Sequence, residues 1–188
     1  MPPTPTAREK VLDAFEAILL THGERAATLE AVAAEAGVSK GGLLYHFGSK
    51  QALMHGLLER LDALVDADVA AMRTAADGPA AFYVRTSAYT GSALDRAIVA
   101  TSRLAQGSHP EAVEALRKMR QRWLDVLVDA VEDPAVARAV MLIGDGLYYN
   151  AAMDDGWAGT TSPMQAAEVD DLLVVVAKLI GSRAASRS

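Results

Sequence analysis

The chain has 188 residues, of which 51% are apolar, 22% charged and 5% aromatic, a composition that favours a globular helical protein over a disordered one. Cysteine is absent, which excludes disulfide scaffolds, thiolate zinc sites and cysteine nucleophiles together. The net charge of −6 is unevenly spread, with six Lys/Arg against seven Asp/Glu in residues 1–60 and twelve against seventeen in 61–188, so acidity overall does not exclude DNA from the first third.

The opening Met1-Pro2-Pro3-Thr4-Pro5-Thr6 has no secretory pattern, and no apolar run reaches the roughly 18 residues of a membrane span. The expectation is a soluble, cytoplasmic, all-α protein with no membrane partner. From Arg8 to His22, Val11, Phe15, Ile18 and Leu19 recur on one helical face, and Gly23 stops the run. Thr28 caps a second helix with Glu30 in its first turn, where the helix dipole favours an acid. Leu29, Val32, Ala33 and Ala36 form its apolar stripe, and Gly37 ends it. Ser39 caps a short third helix running to about Phe47. Ser49 caps a long fourth, whose stripe of Met54, Leu57, Leu58, Leu61, Leu64, Val65, Val69 and Met72 continues to near Ala76, about 40 Å at 1.5 Å per residue.

Asp77-Gly78-Pro79 is a break. Helices then cover Ala80–Gly91, Leu94–Gln106, Pro110–Glu132, Pro134–Asp154 and Ser162–Gly181, with Pro110 and Pro134 in first turns, where a helix tolerates proline. Asp154 to Thr161 reads as a loop and Ser182 to Ser188 as a frayed tail. No 20–50-residue period marks a solenoid.

Residues 28–47, TLEAVAAEAGVSKGGLLYHF, carry most of the functional information. Two short helices joined through Glu35-Ala36-Gly37-Val38-Ser39 match a helix-turn-helix, in which the second helix enters a major groove. Gly41 and Gly42 each cost about 1 kcal/mol against alanine inside a helix, so two in succession imply that the backbone must approach something closely. Tyr45, His46 and Lys50 follow and can reach phosphates. A plain helical hairpin is the competing reading.

At these positions residues 8–54 resemble the DNA-binding domain of the TetR family of bacterial transcriptional regulators. The matching features are the Phe15 helix, Thr28-Leu29-Glu30-Ala31-Val32-Ala33, Ala36-Gly37-Val38-Ser39-Lys40-Gly41, Tyr45-His46-Phe47, and Ser49-Lys50 with Leu53. The remainder is similar only in length, helicity and helix order. The resemblance implies that Thr28 faces a phosphate from a helix N-terminus. It sets Ser39, Lys40, Gly41 and Gly42 at the groove-facing start of the recognition helix. Tyr45 and His46 would meet backbone or base edges, and Lys50 a phosphate beside the fourth helix. Leu44 departs from the family pattern, where many members have an aromatic, and offers apolar contact only, as to a thymine methyl. Val38, Leu43 and Phe47 read as core. His46 also reads as a surface or capping residue, and His22 and His55 as surface or packing residues.

Further on, Pro134–Asp154 is apolar on more than one face, and eight of the nine residues from Leu172 to Ile180 are apolar. A helix apolar all round is buried on all sides. In a protein this small a subunit interface is the expected burial place, and the resemblance implies a four-helix dimer interface. Its assigned residues are Val136, Val140, Gly144, Leu147, Leu172, Leu173, Val176, Leu179 and Ile180, with an ordinary monomer core as the alternative. The middle helices interleave aromatic and polar groups as small-molecule pockets do. Phe82, Tyr83, Thr86 and Tyr89 lie on one helix, Arg103 and Gln106 on the next, Met119, Arg120 and Trp123 on a third, with Tyr148, Tyr149 and Asn150 added from the interface helix. Core packing is the alternative for each. The expected effector is mostly apolar, and anionic if Arg103 or Arg120 faces inward.

Enzymatic patterns are missing: no two histidines at i, i+4, no His-Glu-x-x-His, no phosphate-cradling Gly-x-x-x-x-Gly-Lys-Ser/Thr, and only Gly144-Asp145-Gly146 in place of a dinucleotide loop. No catalytic residue, metal or cofactor is assigned. The expectation is therefore a homodimeric, ligand-responsive repressor, not an enzyme. Residues 1–48 would bind a palindromic operator in double-stranded DNA, and 49–188 would bind an unidentified small-molecule effector and dimerise. A sensor or carrier on the same fold without operator binding is the alternative.

Overall fold

Capping chemistry sets most of the helix starts. In a computed structural model that describes residues 6–88, 91–107, 109–155 and 166–185, the described residues form nine α-helices and one 3₁₀ turn, with no strand. At the head of α1 (Ala7–His22) the Thr6 hydroxyl accepts from the Glu9 N–H at 3.2 Å, while the Glu9 carboxylate accepts from the Thr6 N–H at 2.6 Å. Gly23, at φ 77°, ends α1 in a conformation costly for other residues and leads into a 3₁₀ turn, Glu24–Ala26. Thr28, Ser39 and Ser49 cap α2 (Leu29–Glu35), α3 (Lys40–His46) and α4 (Lys50–Thr74), each hydroxyl accepting a backbone N–H three residues on. Helices α5 (Pro79–Ser87), α6 (Ala93–Gln106), α7 (Pro110–Val131), α8 (Pro134–Asp155) and α9 (Ala166–Ala185) follow. The cap of α8 is Asp133, whose carboxylate accepts from the Ala135 and Val136 N–H groups at 2.9 and 3.1 Å.

The expected helices are present, with shifted ends. α4 stops two residues before Ala76, and α5 stops at Ser87 rather than Gly91. Asp154 and Asp155 belong to the last turn of α8 rather than to a loop, and α9 continues through Ser182 to Ala185, where a frayed tail was expected. The rest of the expected loop, residues 156–161, and the expected start of the last helix at Ser162 lie outside the described residues.

The helices gather into two compact units, Met1–Leu64 with Ala93–Lys118, and Val65–Ser92 with Met119–Ser188. The chain passes between them within α4, between α5 and α6, and within α7. In the first unit α1 packs on α2, α3 and α6, and its predicted stripe of Val11, Phe15, Ile18 and Leu19 is buried. Arg60 of α4 ties it down, donating to Asp13 at 2.6 Å, to Glu16 at 3.0 Å and to the Glu9 carbonyl at 3.3 Å. Burial pushes the Glu16 carboxyl above the usual range, and Arg60 opposes that shift. In the second unit α5 packs on α8 and α9. Gly144 permits the close crossing: a Cβ there would lie 2.5 Å from the Tyr83 ring and 2.9 Å from the Ser87 hydroxyl.

Candidate functional site

The turn between α2 and α3 is built by one glycine. Gly37 sits at φ 65°, the Val38 N–H reaches back to the Ala33 carbonyl at 3.0 Å, and the Gly37 N–H reaches the Ala34 carbonyl at 3.2 Å. This paired closure satisfies the last carbonyls of α2 and turns the chain straight into the Ser39 cap of α3. Leu43 and Phe47 then bury the inner side of α3, as expected of core residues. Phe47 is held from two sides. Gly56 of α4 lies against its ring, where a Cβ would come within 2.7 Å, and the Arg8 guanidinium stands 5.3 Å from the ring centroid. Val38 is only half-buried.

The outer side of α3 is open. Gly41 is exposed, and a Cβ on it or on Gly42 would meet only the Ser39 hydroxyl, at 4.0 and 3.3 Å. Nothing else in the described chain requires glycine at either position. Tyr45 is 87% exposed, Leu44 is exposed beside it, and the exposed His46 ring stands edge-on to Tyr45 at 5.1 Å. A bare backbone flanked by a free phenol and an imidazole offers hydrogen-bond donors and acceptors to a partner that comes close.

Both lysines assigned to this surface already have partners. The Lys40 amine donates to Glu30 at 2.6 Å, and that hydrogen bond holds the Glu30 carboxyl below the usual range. Both side chains are well exposed, so the pair is weak and easily exchanged. The Lys50 amine donates to the Glu24 carbonyl at 2.7 Å and lies 3.7 Å from the Glu24 carboxylate. That carboxylate takes its main hydrogen bond from His109 at 2.7 Å, which holds the Glu24 carboxyl low. Gly107 lies directly under the same carboxylate, leaving no space for a Cβ. Neither Glu24 nor His109 stands out in the sequence, because they meet across 85 residues. His22 and His55 are exposed, and the His22 ring bonds only its neighbour Thr21 among the described residues.

In the second unit the structure brings Tyr83, Arg120 and Trp123 together around two aspartates that the sequence reading left unassigned. The Tyr83 hydroxyl donates to Asp145 at 3.0 Å, Arg120 donates to its other oxygen at 2.8 Å, and the Trp123 indole donates to Asp68 at 2.8 Å. The Tyr83 and Trp123 rings meet edge-on at 5.7 Å. Burial, then the Asp145 charge, pushes the Tyr83 phenol far above its ordinary value, so it stays a donor. Met119 is buried, Phe82 and Tyr148 are half-buried and Asn150 is exposed. Thr86 spends its hydroxyl on the Phe82 carbonyl of its own helix. Arg103 is exposed and belongs to the first unit, and Tyr89 lies outside the described residues. Arg120, one of two cations considered for an anionic effector, is thus neutralised by Asp145.

Of the residues assigned to dimerisation, Val136, Val140, Gly144, Leu147 and Val176 are buried within the chain, Leu172, Leu173 and Ile180 are half-buried and Leu179 is exposed. The large apolar side chains that face solvent on these helices include Leu142 and Tyr149 of α8, 60% and 64% exposed, and Val174 and Val175 of α9. Among the described residues no cluster of His, Asp and Glu fits a metal ion, and no helix is long and apolar enough to cross a membrane.

Two family models account for most of the chain. The one described as bacterial regulatory proteins, tetR family, matches residues 11–57, and the one described as tetracyclin repressor-like, C-terminal domain, matches residues 78–175. No curated protein matches. Among solved structures, the chain is similar to a putative transcriptional regulator, SCO7518 of Streptomyces coelicolor A3(2), at 22% identity and TM-score 0.63, covering 94% of this chain and 99% of that one. It is also similar to GusR of Salmonella enterica, at 16% identity and TM-score 0.66 over 96% and 98%. A third is the multidrug binding protein EbrR complexed with malachite green, at 22% identity and TM-score 0.59 over 92% and 98%. At such identities these likenesses are of fold.

Proposed function

The chain belongs to the TetR family of bacterial regulatory proteins, and from that premise we propose that it is a cytoplasmic repressor that binds a palindromic operator as a homodimer and is released by a small-molecule effector. One observation supports the DNA contact most: α3 carries two glycines that serve no packing purpose beside an almost fully exposed Tyr45. On this reading residues 1–48 form the DNA-binding part. Gly41 and Gly42 let the helix backbone approach the groove, Ser39, Leu44, Tyr45 and His46 meet base edges or backbone, and Thr28 presents a helix N-terminus to a phosphate. Lys40 and Lys50 exchange Glu30 and Glu24 for phosphates on binding.

Residues 49–188 then serve dimerisation and effector binding. The exposed Leu142, Tyr149, Val174 and Val175 give a reason to pair α8 and α9 with a second copy. The Tyr83, Trp123 and Asp145 group, beside Arg120, supplies the aromatic walls and placed polar atoms of an effector site, and a fold relative that binds a dye supports a role of that kind. With Arg120 neutralised, a neutral or cationic effector fits better than an anionic one. The expected test is the salt dependence of operator binding. Lys50→Ala lowers the slope of log K against log salt by about 1 and weakens all sequences alike, since a phosphate contact carries no sequence information. An altered base preference with an unchanged slope contradicts the assigned role.

A further inference from the structure

The first unit holds a cavity of about 340 Å³ that the proposed function does not use, at the small end of the roughly 300–1,000 Å³ of small-molecule sites. Residues of four parts of the chain line it: α1, the turn at Glu24, the start of α4, and Leu104 of α6 with His109 and Glu111 at the head of α7. Its apolar lining is Phe15, Met54 and Leu104, all buried side chains fixed by helix packing. An aromatic ring and a polarisable thioether in the lining favour an apolar or aromatic body.

The polar rim decides the charge of the guest. Glu24, Lys50, Gln51, His109 and Glu111 line it; Gln51 is neutral, and Glu24, Lys50 and His109 already satisfy one another, with His109 and Lys50 both on Glu24. The Lys50 charge is therefore spent on Glu24. Glu111 is exposed in the first turn of α7. Glu24 is shared by Lys50 and His109, which leaves Glu111 as the rim carboxylate without an ion-pair partner among the described residues. An anionic guest would have to displace Glu24 while standing beside Glu111, whereas a cation meets a carboxylate already in place.

We propose that this cavity is a small-molecule site for a monocationic amphiphile, an aryl-alkyl ammonium whose body lies on Phe15, Met54 and Leu104 and whose head pairs with Glu111. The site lies wholly in the first unit and does not rest on the DNA-binding reading.

The full-length protein, carrying ¹³C-methyl methionine, is titrated with 4-phenylbutylammonium and, separately, with 4-phenylbutyrate. The Met54 methyl resonance is assigned through Met54→Leu. The ammonium moves that resonance saturably, with half-saturation at or below about 1 mM, and Glu111→Gln weakens it about two- to fivefold, as for one partly exposed ion pair. Four results overturn the proposal: no movement at Met54, equal or tighter binding of the carboxylate, no effect of Glu111→Gln, or a shift confined to Met119 in the second unit.

Discussion

Around Gly41 and Gly42 the chain leaves its backbone bare to solvent, whereas at Gly144 it uses the same missing side chain to bring two of its own helices together. A Cβ on Gly41 meets only a serine hydroxyl at 4.0 Å, while one on Gly144 strikes the Tyr83 ring at 2.5 Å. In the first region Leu44, Tyr45 and His46 are exposed on a helix that a local serine cap positions. In the second, polar side chains turn toward one another over spans of 55 and 62 residues, as in Trp123–Asp68 and Tyr83–Asp145. Glycine thus has opposite physical meanings in the two places, a surface kept clear and a crossing kept close, and substitutions separate them.

The largest effect is expected at the rim of the second region. Val175→Glu alters a side chain that already faces solvent in the single chain, so the fold is retained, but in a dimer it buries a charge without a partner at a cost of several kcal/mol. Light scattering should report folded monomers, and operator binding should disappear with the dimer. A folded dimer removes this face of α9 from the interface. Next comes the crossing itself. Gly144→Ala forces the Tyr83 ring and the Ser87 hydroxyl aside, an overpacking cost of about 1–3 kcal/mol. Urea unfolding measures it, and an unchanged midpoint means that α5 and α8 are not held at that distance.

The smallest effect is electrostatic and belongs to the first region. His109 holds the Glu24 carboxyl below the usual glutamate value of 4.5, so the folded state binds that proton less readily than the unfolded one. The stability this lends is present above about pH 4.5 and is lost as pH falls through the lowered folded value. Glu24→Gln should therefore be less stable than the parent at pH 6, and the gap should narrow as unfolding is followed down to about pH 3. A gap independent of pH assigns Glu24 a packing role only.

How much was legible in the sequence differs between the same two regions. The caps Thr28, Ser39 and Ser49, the turn at Gly37 and the buried stripe of α1 act within a few residues, so their chemistry reads directly from spacing. The tandem glycines stood out because helix propensity argues against them. Asp68, Asp145, Glu24 and His109 did not, since each finds its partner through tertiary packing across 55 to 85 residues. The end of α9 was missed for a simpler reason: Ser182, Arg183 and Ala185 lack an apolar stripe, yet the helix continues through them.

The most direct test of the central claim is selection of operator sequences from random duplex DNA by the parent protein and by Gly41→Ala. The parent should enrich a pseudo-palindrome with half-sites about 10 base pairs, one helical turn, apart. The variant should match or exceed the parent in stability, by up to about 1 kcal/mol, because alanine is the better helix former and the space is open. Its enrichment should nevertheless collapse, because the added methyl stands where the groove must come. Equal enrichment by a stable Gly41→Ala, or no enriched sequence from a folded parent, contradicts the reading of α3 as the surface that meets DNA.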